Sequence, residues 1–182
     1  MNYTIIKKEN LQPALWEGGK TFEYFIYPED AVYSERNFLF RVSSATIEKV
    51  PSSFTRFENF TRYLIMLDNH LKINHNGIEE NYSENEVFRF DSNDIIVSQS
   101  SGTDFNLIVA EPVQFSSVKI LSDLQNVTHD FMLIFAKTET KIQFGAKEIM
   151  LTENDLLCIE NPENENLTMK STSHVIVGLI SI

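Results

Sequence analysis

The chain has 182 residues, a net charge of −11 and one cysteine, Cys158. That length carries one sizeable hydrophobic core or two small ones, and a composition of 42% apolar and 23% charged residues excludes disorder and fibrous repeats. Excess acid argues against nucleic acid and anionic membrane surfaces as partners, because both are bound through clustered Lys and Arg, and a lone cysteine excludes an intrachain disulfide.

From the N-terminus, MNYTIIKKEN has no apolar stretch of signal-peptide length, and no later run reaches membrane-spanning length; a cytoplasmic protein is expected. The chain then proceeds as short apolar runs and alternations, interrupted by polar turns roughly every ten residues. Strand-like segments fall at 38–47, 62–67, 71–73, 85–90, 94–98, 105–110, 131–136, 141–144, 155–159 and 174–180. Asn76-Gly77 between two such runs is a strong hairpin signal, since both residues tolerate positive φ. Residues 116–125 are the exception, where a short helical turn is expected. No window carries a sustained helical stripe, so the reading is an all-β sandwich or barrel. Fourteen Phe and six Tyr fit that reading, because aromatic rings pack well on a pleated face.

A weak internal echo divides the chain. Residues 63–67 lead through a hairpin to Ser92-Asn93-Asp94 and the apolar run after it. Residues 131–135 lead likewise to Glu153-Asn154-Asp155 and Leu156. Two modules are expected, at about 1–112 and 113–182, in a single unit spanning the chain.

Four ordered blocks are more specific. Trp16, Gly18, Gly19 and Thr21 form the first, and Arg41 and Ser43 the second. Phe54, Phe57 and Arg62 form the third, and Asp104-Phe105-Asn106 the fourth. Over residues 15–110 this pattern resembles the HutD/Ves family, in which a Trp precedes Asn-Gly-Gly-Gly-x-Thr. A Trp-Arg-x-Ser strand, a Phe-Ser-x-Phe-x-Gly-x-x-Arg segment and an Asp-Phe-Asn block complete the family pattern. Here Glu17 stands in place of the Asn, Lys20 of the third Gly, Phe40 of the second Trp and Asn59 of the Gly in the Phe-Ser block. An Arg often found before the Asp-Phe-Asn block is absent.

The resemblance implies a cupin (RmlC-like jelly roll) with two β-barrel-like halves. It also implies a regulatory, metabolite-binding association with histidine utilisation, without an established catalytic activity or a cofactor. Metal-dependent cupins set two His one residue apart, a Glu four or five further on and a Gly turn beyond. With that turn at Asn69, Arg62 takes the Glu position, and Thr55 and Phe57, or Arg56 and Glu58, take the His positions. No metal site is expected there, because a guanidinium repels a dication. The four histidines, His70, His75, His129 and His174, show no close ligand pair, and His70 and His75 are expected on the surface beside the hairpin.

An inward Arg62 suits a carboxylate, and Arg41 shares a strand face with Ser43. The candidate ligand-binding set is Trp16, Thr21, Glu23, Arg41, Ser43, Arg62, Asp104 and Asn106, for a small polar or anionic metabolite. Several readings stay open. Arg41 and Arg62 either meet a ligand or pair internally with Glu23 and Asp104, and Trp16 is either a packing anchor or a ligand platform. Glu23 and Asp104 would serve a cofactor-free isomerase or lyase if both faced one cavity. A third alternative is an interaction module with a vestigial pocket, and a homodimer by sheet pairing is consistent with the fold. Cys158, within an apolar run, reads as a buried structural thiol.

Overall fold

The computed structural model describes residues 1–182 and contains no α-helix. Its first strand, β1 (Asn2–Ile6), is followed by β2 (Ala14–Trp16), β3 (Gly19–Tyr27), β4 (Phe40–Ile47) and β5 (Ser52–Ser53). Next come β6 (Phe60–Met66), β7 (Leu71–His75), β8 (Ile78–Tyr82), β9 (Phe88–Asp91), β10 (Ile96–Ser98) and β11 (Gly102–Ala110). The last six are β12 (Phe115–Val127), β13 (Phe131–Phe135), β14 (Thr140–Phe144), β15 (Lys147–Leu151), β16 (Leu156–Glu160) and β17 (Leu167–Ser181). No helix is long and apolar enough to cross a membrane.

The chain divides into two compact units, Leu11–Pro112 and a second made of Met1–Asn10 with Val113–Ile182. The expected halves differ from this only at the start. Residues 1–10 join the later unit because β1 pairs antiparallel with β16, Asn2 opposite Glu160 and Ile6 opposite Leu156.

In the Leu11–Pro112 unit a six-stranded sheet, β2-β3-β4-β11-β6-β9, packs against a four-stranded sheet, β5-β10-β7-β8. Leu64, Met66, Phe88 and Phe90 of the larger sheet meet Leu71, Ile73 and Ile96 of the smaller. Phe105, Leu107 and Val109, on the alternate face of β11, are buried too, which explains why this strand and β6 read as continuous apolar runs instead of alternations. The hairpin at Asn76-Gly77 forms as expected, with φ of 50° and 92° and His75 paired to Ile78. Asn59 has φ of 67°, so asparagine replaces the family's glycine at a left-handed position that it, among residues with a Cβ, tolerates well.

The second unit is one seven-stranded sheet in which β1, β16, β13, β17, β14 and β15 follow in order and β12 pairs with β17. The expected helical turn at 116–125 is instead strand β12. Its register shifts between Leu121 and Asp123 and again between Leu124 and Val127. Those irregularities turn Leu121, Leu124 and Val127 toward one core at a spacing of three, which mimics a helical period. Cys158 is fully buried in β16, and burial pushes its thiol up, away from reactivity.

The internal echo has a physical basis. Asp94 accepts from the Asp91 amide, and Asp155 from the Thr152 amide and hydroxyl, each closing a tight turn before an apolar strand.

Candidate functional site

The site is written in the cross-strand register of the larger sheet. On one rung Ile26, Arg41, Ile108, Arg62 and Phe90 lie side by side across β3, β4, β11, β6 and β9. The next carries Glu23, Ser43, Asn106 and Leu64, and a third carries Thr21, Ala45, Asp104 and Met66. Because side chains alternate along a strand, Arg41, Ser43, Arg62, Asp104 and Asn106 all emerge on one face. A cavity of about 320 Å³ opens over it. Ala14, Leu15 and Trp16 of β2, Tyr33, and the segment Ser53, Phe54 and Thr55 complete the walls.

Seven of the eight expected residues line this cavity; Glu23 does not. The register between β3 and β4 shifts after Glu23, and its half-exposed carboxylate accepts from Arg41 Nε at 2.6 Å. Glu23 and Asp104 therefore do not share the cavity as an acid–base pair. Arg41 also donates to Ser43 Oγ at 3.1 Å and stacks on Tyr33 at 4.1 Å, so its charge is countered and its plane fixed.

Arg62 is different. It donates to the Thr55 carbonyl oxygen at 3.3 Å and rests against the rings of Phe54 and Phe90, at 5.3 and 5.1 Å. Its Nε has no hydrogen-bond partner, and no carboxylate lies within ion-pair distance. Burial lowers its pKa to about 10 even though Asp104 and Tyr33 favour its charge. Internal pairing thus holds for Arg41 with Glu23 but not for Arg62 with Asp104.

Asp104 is 3% exposed and accepts from the Ala45 amide at 3.1 Å. Burial pushes its pKa up to about 7, against the pull of that hydrogen bond and of Arg62, with Asp68 adding to the rise. Asn106, between Asp104 and the arginine rung, keeps a buried Oδ1 without a partner.

Trp16 lies over Gly18: a Cβ at Gly18 would sit 2.0 Å from the indole ring. At Gly19 a Cβ would sit 1.8 Å from the Thr46 carbonyl oxygen, so the glycine pair allows β2 to fold back along β3. Sequence reasoning missed Tyr33, which lies outside the four blocks. It treated Phe54 only as a motif residue; the signal available was Arg62 needing an apolar support.

Outside the cavity, His70 and His174 are exposed, while His75 departs from expectation. It is half-buried, with Nδ1 3.1 Å from Glu80 Oε1 and Nε2 3.0 Å from Asp94 Oδ2. Both contacts are satisfied together by the doubly protonated ring. Burial disfavours that charge, but the two carboxylates outweigh it and raise the pKa.

The fold and the cavity inside its larger sheet define a cupin. Bacterial pirin YhhW from Escherichia coli, solved in complex with nickel(II), superposes with a TM-score of 0.66 at 11% identity over 100% of both chains. Within that class the chain belongs to the HutD family, whose profile matches residues 8–177. HutD from Pseudomonas fluorescens SBW25 has a TM-score of 0.83 at 17% identity, covering 99% of this chain and 98% of its own. A conserved protein of unknown function from Pseudomonas aeruginosa PAO1 gives 0.86 at 20% identity over 100% of both. The sequence matches none of the curated proteins.

Cupin relatives raise the question of a metal. Here the cavity lining has no His or Cys and a single carboxylate, Asp104, beside two guanidiniums. No other group of His, Cys, Asp or Glu side chains is arranged to hold an ion, since Glu80 and Asp94 approach opposite edges of the His75 ring. That donor set does not fit a transition-metal ion.

Proposed function

We propose that this protein is a metal-independent cupin that binds a small polar or anionic metabolite, with a sensing or regulatory role in histidine-type amino-acid metabolism. The observation that carries the reading is Arg62, a buried cation with no counter-ion, facing a cavity of metabolite size. A buried charge is costly unless paired, and a carboxylate would supply both the charge and the acceptor that its guanidinium lacks. The open cavity also weighs against a vestigial pocket. The metabolic setting comes from the family alone.

Thermal-shift measurements with urocanate, formylglutamate and formiminoglutamate test this. A ligand at about a hundred times its Kd stabilises by about 2.7 kcal/mol, a shift of several degrees. Arg62→Met should abolish the shift while leaving the unliganded protein folded, because it removes an unpaired buried charge at similar volume. Folded wild-type protein that none of these acids stabilises would overturn this ligand class.

A further inference from the structure

The two ionisable groups of the cavity without an ion-pair partner, Arg62 and Asp104, sit at different rungs of one wall. Arg62 lies on the Ile108 rung, with Arg41 on the other side of β11. Asp104 lies four residues along β11 on the same face, about 13 Å away at the backbone at a rise of roughly 3.3 Å per residue. Arg62 and Asp104 are both buried and opposite in sign, yet they form no ion pair. Asp104 is held through one oxygen by the Ala45 amide, and no guanidinium or ammonium lies within ion-pair distance of the carboxylate, although Arg62 is near enough to act on it electrostatically. Between the two stands Asn106, whose Oδ1 also lacks a donor. A plain anion would meet the needs of the arginine rung and leave Asp104 and Asn106 as they are. A ligand with an anionic group at one end and an N–H donor at the other would satisfy both.

Building on the reading of the cavity as a binding site, we propose that it takes a bipolar ligand lengthwise along β11, with a carboxylate against Arg62 and Arg41 and an amino-type N–H group against Asp104. The direction of binding is then fixed. Reversal would set the carboxylate against Asp104 and the N–H group against two guanidiniums.

Isothermal titration calorimetry with isosteric pairs tests this. The probes are γ-aminobutyrate, δ-aminovalerate and ε-aminocaproate, each against the acid in which methyl replaces ammonium: pentanoate, hexanoate and heptanoate. The expected result is that, at one length or more, the amino acid binds about tenfold or more tightly than its methyl partner. In Asp104→Asn the side-chain oxygen still accepts from Ala45 and the NH₂ faces the cavity, so that preference should fall to about one while the methyl acid still binds. Equal binding within every pair to wild-type protein would overturn the bipolar ligand but leave the anion site standing. An amino preference that survives in Asp104→Asn would overturn the role given to Asp104. No binding by any of the acids to folded protein would overturn the binding-site reading itself.

Discussion

Asp104 is a buried carboxyl whose ionisation costs the fold stability. Its folded pKa, about 7, is far above the usual Asp value of about 3.9, so the native state holds this proton more tightly than the unfolded chain. The sign follows: its contribution to stability is fully present below pH 4 and is lost as pH rises through 7. Asp104→Asn keeps the acceptor for the Ala45 amide but never ionises. Its stability should approach that of wild type only near pH 3.5 and exceed it increasingly from pH 5 to 7, by up to about 3 kcal/mol above that if most of the shift is realised, with the higher melting temperature to match. A variant no more stable than wild type at pH 8.5 would contradict that account. Arg41 differs in its partners: Glu23 accepts from its Nε at 2.6 Å and the Tyr33 ring lies beneath its guanidinium.

At the scale of elements, the β2–β3 turn places the only tryptophan at the cavity wall, and two adjacent glycines there do different jobs. At Gly18→Ala the obstacle is the Trp16 ring, so the fold should survive while tryptophan emission shifts to the red as the indole is lifted into water. At Gly19→Ala the obstacle is backbone, the Thr46 carbonyl, and the loss should reach about 2–4 kcal/mol in a denaturant melt, as for other substitutions that overpack a rigid position. Equal effects of the two would mean that the Trp16 contact is not the yielding one. Much of this architecture was legible in the sequence because period-two spacing sets Arg41 with Ser43 on one face of β4 and Asp104 with Asn106 on one face of β11, while the family pattern put the two pairs near each other; the cross-strand register joins them. The location of Glu23 was not, because a one-residue register shift in β3 follows it. Nor was β12, whose irregular register imitates helical spacing, or β1, whose exposed residues are organised by β16, more than 150 positions away.

Across the whole molecule, acid outnumbers base by 11 charges, yet two groups of the Leu11–Pro112 unit gain protons on folding. His75 is clasped by Glu80 from β8 and Asp94 from the turn before β10, with Tyr82 donating to Glu80 at 2.6 Å and Asn76 to Asp94 at 2.9 Å. Its raised pKa means that the clasp's contribution is present below about 6.5 and fades as pH climbs through the higher folded value. His75 and Asp104 therefore act in the same direction. His129, whose pKa burial lowers, acts the other way only up to about pH 6.5, so wild-type melting temperature should fall between pH 6.5 and 8.5, and His75→Gln combined with Asp104→Asn should flatten the profile. A wild-type profile that rises over that interval would contradict both assignments. The cavity, meanwhile, draws every lining residue from the Leu11–Pro112 unit and none from the seven-stranded sheet. Substitutions at alternate positions of β4, β6 and β11 can therefore reshape the cavity without touching a single contact of the seven-stranded sheet.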